Sequence, residues 1–161
     1  MAGKKKSKNE DESSRVVCRN RRALHDFEIQ DELECGIVLT GSEVKSIRAN
    51  KVSIEEAYAR IDRGEVWLYN ADISEYAQAS YLNHDRRRPR KLLMNKRQIR
   101  KFAETAAHDG MALIPLSVYF SRGMVKVKLG VGKGRKVHDK RQRIKSREAG
   151  RAIRDAVRHR T

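Results

Sequence analysis

The sequence predicts a mainly β protein: a small antiparallel barrel with embedded α-helices and a basic C-terminal tail. Three observations lead there. Short apolar stretches with an alternating pattern recur between residues 27 and 132. Glycine-bearing turns separate the best of them, at Asp62-Arg63-Gly64-Glu65 and Ser121-Arg122-Gly123. From Lys133 onward the chain becomes highly charged and offers almost nothing to bury.

The elements follow in order. In "HDFEIQ", Phe27 and Ile29 alternate with polar neighbours, as in a half-buried strand. "CGIVLTG" is a short apolar run between Gly36 and Gly41, which suits a buried strand with a tight exit. "SEVKSIR" sets Val44 and Ile47 three apart behind a capping serine, so a short helix is expected there. Ala57, Ala59 and Ile61 alternate into the first glycine turn, and Val66 and Leu68 alternate out of it, which makes a hairpin. "NHDRRRPRK" is a basic loop broken by Pro89. A helix comes next, capped by Asn95 with Gln98 three residues on, and its apolar face is Ile99, Phe102, Ala103 and Ala106. A second hairpin, "ALIPLSVYF" to "MVKVKLGVG", closes the body. In it Val125, Val127, Leu129 and Val131 face one way, while Lys126, Lys128 and Gly130 face the other. Short antiparallel strands with an inserted helix point to a barrel of the oligonucleotide-binding type.

Charge divides the 161 residues into three segments. Residues 1–22 carry eight basic and three acidic residues, and residues 133–161 carry twelve and three. The stretch between is nearly balanced at +2, of a total of +16. The expected organisation is a flexible basic arm over 1–19, a barrel domain over 20–132 and a basic tail over 133–161. Such a balance calls for a polyanionic partner. A membrane is not expected, because the longest apolar run is Met111–Leu116, far short of the roughly 20 residues of a spanning helix. Cys18 and Cys35 show no metal or redox spacing, which fits a reduced, cytoplasmic protein.

Catalytic and cofactor motifs are missing. There is no H-E-x-x-H and no G-x-S-x-G, and the histidines at 25, 84, 108, 138 and 159 are dispersed. "GVGKG" fails as a phosphate loop, since Arg135 stands where G-x-G-x-x-G needs glycine and Gly134 where a P-loop needs Ser or Thr. It reads instead as a flexible exit from the last strand. No enzyme activity, cofactor or metal is expected.

The basic groups carry the functional signal. "RNRR" (Arg19–Arg22), "RRRPRK" (residues 86–91) and the strand pair Lys126 and Lys128 feed one small body. Candidate RNA contacts from these runs include Arg90 and Lys91, with Lys45 from the short helix. Lysine and arginine bind phosphates by charge and forked hydrogen bonds. Tyr69, Tyr76, Tyr81, Tyr119 and Phe120 are available to stack on bases. Glu34 and Glu43 lie beside glycine turns, and each reads either as a charge-balancing or capping group or, on the binding face, as a carboxylate that accepts from a base amino group or orients an arginine. In the tail, Ala149, Ile153, Ala156 and Val157 have helical spacing. Four small apolar groups cannot offset an ordering cost of roughly 1–2 kcal/mol per residue. The tail is therefore expected to be disordered when free and helical against phosphates.

"NRRALHDF", "ELECGIVLTGSEVKSIRA", "RKLLMN" and "LSVYFSRGMVKVKLGVGKGRKVHDKR" resemble, in order and spacing over roughly residues 20–145, the SmpB family of transfer-messenger RNA-binding proteins. The resemblance implies an oligonucleotide-binding-like barrel. It also implies binding to the tRNA-like domain of that RNA, where the protein stands in for the missing anticodon arm. Through it the RNA, charged with alanine and carried by an elongation factor, reaches ribosomes stalled without a stop codon, so that the peptide is tagged and the ribosome freed. By matching motif, RNA contact falls on Glu34, Leu93 and Lys126, with Asn20, Arg21, Arg22 and Lys128 beside them. The ribosome-facing role falls on Gly134, His138, Asp139, Lys140 and Arg141, at the decoding centre and in the empty message channel of the small subunit. A monomer is expected. Ser42 departs from the family, whose members often carry a bulkier residue there.

Overall fold

In the computed structural model, residues 14–79 and 81–158 are described, apart from the side chains of 137–140. The elements are β1 (Arg15–Arg19), α1 (Arg21–Asp26), β2 (Phe27–Ile37), α2 (Gly41–Arg48), β3 (Val52–Ser53), β4 (Tyr58–Asp62), β5 (Glu65–Tyr69), β6 (Asp72–Ile73), β7 (Arg90–Leu93), α3 (Lys96–Ala106), β8 (Met111–Ser121), β9 (Met124–Gly134) and α4 (Val137–Arg158). Seven strands form one antiparallel sheet in the order β1-β8-β4-β5-β7-β2-β9, and β9 pairs again with β8. The pairings thus run from β8 through β4, β5, β7, β2 and β9 back to β8. One edge of β8 is shared: β4 meets it at Leu113 and β1 at residues 117–120.

Both glycine turns form as read. Arg63 and Gly64 have φ of 50° and 76°, and Arg122 and Gly123 have 51° and 75°. Positive φ at both central residues is the turn whose twist matches a two-residue hairpin. The alternating residues then share one interior. Val66, Leu68, Leu92, Val127, Leu129 and Val131 are almost fully buried, with Ile47 from α2 and Phe102 from α3 laid against them. Each such side chain contributes about 1.5–3 kcal/mol of burial. α3 starts as expected, with the Asn95 amide donating to Gln98 Oε1 at 3.0 Å.

The structure departs from the sequence reading at both ends of the body. Residues 15–19, assigned to the flexible arm, are strand β1, because their backbone finds the free edge of β8. The arm's residues 1–13 lie outside the described residues. "GVGKG" is not a flexible exit but the end of β9, with Gly132 opposite Ile29 and Gly134 opposite Phe27. A Cβ at Gly132 would lie 2.8 Å from the Glu28 carbonyl oxygen, next to the bulge between Ile29 and Asp31, so only glycine lets the two backbones approach. Residues 137–158 form one helix, and Arg143 Nη1 donates to the Leu24 carbonyl at 3.1 Å.

α1 is an element the sequence reading did not predict. Ala23 packs with Ile114 and Leu116, and with Phe27 and Ile29 beside them, into a second apolar cluster on β2 and β8. Asn20 makes this possible. Its Oδ1 accepts from the Ala23 amide at 2.9 Å, and its Nδ2 donates to the Ile54 and Pro115 carbonyls at 2.9 and 3.1 Å.

A second polar anchor is the buried cluster around Glu43, which joins α2 to β7. Glu43 accepts from Arg88 Nε and Nη2 at 2.7 Å each, from Arg90 Nε at 2.8 Å and from the Thr40 amide at 2.9 Å. Arg90 donates further to the Ala71, Arg88, Asp85 and Arg86 carbonyls. Burial works to raise the Glu43 carboxyl, but the Arg88, Thr40 and Arg90 donors outweigh it and hold the pKa below its ordinary value. Of the two roles open to Glu43 in the sequence, the structure supports the cap and charge partner.

Candidate nucleic-acid interface

The open face of β2, β7, β8 and β9 collects residues far apart in sequence. Strand register puts Tyr119 opposite Lys126, Lys126 opposite Gly36 and Gly36 opposite Leu93. The next outward row carries Ser117, Lys128 and Glu34. Bulges in β1 and β8 keep this alternation in step. Because Gly36 has no side chain, Leu93 lies beside Lys126 with nothing between them on that row. Leu93 is 52% exposed, although its neighbour Leu92 is buried in the core. An aliphatic side chain left in water on a paired strand offers an apolar patch to a partner.

The charges on this face are held in place. Lys126 Nζ donates to Glu34 Oε1 at 3.0 Å, and the Tyr119 hydroxyl donates to Glu34 Oε2. The Tyr119 hydrogen bond first, and Lys126 second, keep the Glu34 carboxyl below its ordinary pKa. The carboxylate is therefore ionised, oriented, and left with outward lone pairs that can accept from an amino group. Lys128 lies 3.6 Å from Glu32, and both side chains are nearly half exposed, so the lysine is free to exchange that partner for a phosphate.

The other sequence candidates divide. Lys91 faces outward two residues before Leu93 and is paired with Glu65 at 2.5 Å. Arg21 and Arg22 are exposed on α1, with Arg22 3.5 Å from Asp26. Two candidates must be corrected. Arg90 is fully buried, because Glu43 and four carbonyls draw its guanidinium inward, and Asn20 is buried as the α1 cap; neither is a surface contact. Lys45 belongs to another cluster, with its ammonium 5.3 Å over the Tyr76 ring. Gly134 ends β9, Arg141 is exposed on α4, and the backbones of His138, Asp139 and Lys140 begin that helix, while their side chains lie outside the described residues. In the sequence Tyr119 reads only as a stacking group, and its hydrogen bond to Glu34 has no sequence signal, since no local pattern links positions 85 residues apart.

No cluster of metal-ligating groups occurs among the described residues, and none of their helices is long and apolar enough to cross a membrane. An antiparallel β protein that presents lysines, an oriented carboxylate and an exposed leucine in register on one face is of the nucleic-acid-binding class. Comparison with known proteins agrees. The profile of the SmpB protein family matches residues 17–159. The SsrA-binding protein of Carboxydothermus hydrogenoformans is 44% identical over 146 residues, covering 91% of this chain and 98% of its own. That of Rhodopirellula baltica is 50% identical over 143 residues, covering 88% and 81%. A solved structure described as "tmRNA-SmpB: a journey to the center of the bacterial ribosome" contains a chain of 45% identity and TM-score 0.64, covering 74% of this chain and 85% of that one. The chain belongs to the SmpB family.

Proposed function

We propose that this chain is the RNA-binding protein of trans-translation, an adaptor and not an enzyme. It binds the tRNA-like domain of transfer-messenger RNA, brings it with its elongation factor to stalled ribosomes in the cytoplasm, and acts there as a monomer. The observation that carries this reading is the juxtaposition of Glu34, Leu93, Lys126 and Lys128 on one face, from three strands. Lysines spaced along β9 meet phosphates by charge, independently of base sequence. Glu34 supplies an acceptor for a base amino group, and Leu93 a surface for a sugar or base. The cyclic strand pairing is read as the oligonucleotide-binding-like barrel that makes this face rigid.

The segment after β9 has a separate task. At 22 residues and 1.5 Å per residue, α4 spans about 33 Å. Residues 133–161 carry +9, against +2 for residues 23–132. A narrow polycationic rod fits a phosphate-lined channel only when no message fills it, so steric competition and counterion release together report vacancy. His138, at the start of the rod, is placed to stack on a base of the decoding centre, with Gly134, Asp139, Lys140 and Arg141 flanking it.

The test separates body from rod. The chain is cut after Lys136, because the Arg135 amide donates to the Asp26 carbonyl at 2.8 Å and a shorter product would lose β9 contacts. The cut protein is expected to bind transfer-messenger RNA nearly as well as the full chain and to fail in peptide tagging on ribosomes stalled on short messages. Lys126→Ala in the full chain should weaken RNA binding without moving the melting temperature. Normal tagging by the cut protein would favour a plain structural binder.

A further inference from the structure

Beside the lysine face, the β4–β5 turn, β7 and the start of α3 enclose a cleft of about 560 Å³. Leu92, Leu93, Met94 and Ile99 give it an apolar floor and wall. Arg63, Lys96 and Arg100 stand exposed around its rim, and none of the three has an ion-pair or hydrogen-bond partner among the described residues. The cleft's one carboxylate, Glu65, is already engaged by Lys91 at 2.5 Å. The cleft thus combines an apolar base with three unspent positive charges.

We propose that this cleft takes one unstacked nucleotide of the bound RNA, with its base against Met94, Ile99 and Leu93 and its neighbouring phosphates on Arg63, Lys96 and Arg100. The inference rests on the reading that the Lys126 face binds RNA. Leu93 ties the two surfaces together: it is the wall of the cleft and, through Gly36, the register neighbour of Lys126. RNA crossing that face reaches the cleft without a gap. A ligand with a flat apolar body and flanking anions matches the arrangement, because guanidinium forks fit phosphate oxygens and the face of any base buries apolar area against aliphatic side chains. Arg63 has a further advantage of position. Its place in the left-handed turn holds the Cα at the rim on a rigid hairpin.

The experiment uses the full chain and a tRNA-like-domain transcript carrying 4-thiouridine and 6-thioguanosine at unpaired positions. Near-ultraviolet irradiation and peptide mapping locate the adducts. Adducts within residues 92–100, lost in the Arg63→Asn/Arg100→Gln double variant while adducts on β9 remain, are the expected result. Asn at 63 keeps a residue that tolerates positive φ, so the hairpin is preserved. The same variant should lower the slope of log affinity against log salt by about 1.4, at about 0.7 per single-strand phosphate contact. Adducts confined to β2 and β9 overturn the proposal and leave the cleft to an acidic peptide; an unchanged salt slope also overturns it. Unaltered RNA affinity in Lys126→Ala would instead overturn the underlying reading of the face, which keeps the two failures distinct.

Discussion

Glu43→Gln is the substitution with the largest expected effect for its size. It preserves the shape of the side chain but removes the carboxylate that pairs with buried Arg90, and it turns one acceptor oxygen into a donor facing arginine donors. Glu43 and Arg90 are both fully buried, so solvent screens neither. Removing one partner of a buried pair costs about 3–5 kcal/mol, since the other charge remains uncompensated. At about 2–4 °C per kcal/mol for a chain of this length, the melting temperature should fall by roughly 6–20 °C. Arg88→Gln is the control. Arg88 is 30% exposed and its loss leaves the Arg90 contact intact, so a drop of only about 1 kcal/mol is expected. Circular dichroism melts between pH 3 and 7 add a second signature. The Glu43 pKa is lowered on folding, so its contribution is complete above the ordinary carboxylate value and is lost as pH falls through the folded value. The wild type should therefore lose stability more steeply in acid than Glu43→Gln. A melting point within 2 °C of wild type, or parallel acid profiles, would refute the reasoning.

Three further outcomes follow from the geometry. Gly132→Ala should destabilise the fold by about 2 kcal/mol or more in denaturant titrations, since its Cβ meets the Glu28 backbone; Gly150→Ala, with nothing within 4 Å, should raise α4 helicity by about 1 kcal/mol of propensity and leave the melting point of the body unchanged. Tyr119→Phe should weaken RNA binding by several-fold in anisotropy titrations while the fold persists, because Glu34 loses the hydroxyl that orients it; equal affinity would show that Lys126 alone suffices. Burial pushes the thiols of Cys18 and Cys35 up to about 11 and about 12, so both should resist iodoacetamide at pH 8 until the protein unfolds, as read by mass spectrometry.

The features legible in the sequence are local. Period-two alternation identified strands at residues 57–61, 66–68 and 124–132, and the glycine turns between them identified the hairpins. Asn95 and Gln98 marked the start of α3 three residues apart. These signals lie within one element, where backbone geometry maps neighbouring residues directly onto one face. The resemblance of long collinear motifs assigns RNA contact to Glu34, Leu93 and Lys126. Packing between distant segments set the rest. Arg90 looks like its neighbours in a basic run, and its burial depends on a carboxylate 47 residues upstream. α1 is too short to announce itself by periodicity, and it forms because Asn20 finds carbonyls of Ile54 and Pro115. The grip of Tyr119 on Glu34 and the cleft behind Leu93 arise where separate strands meet. Such groups meet only when register and packing bring together residues tens of positions apart, and one stretch of chain carries no trace of which partner it will have.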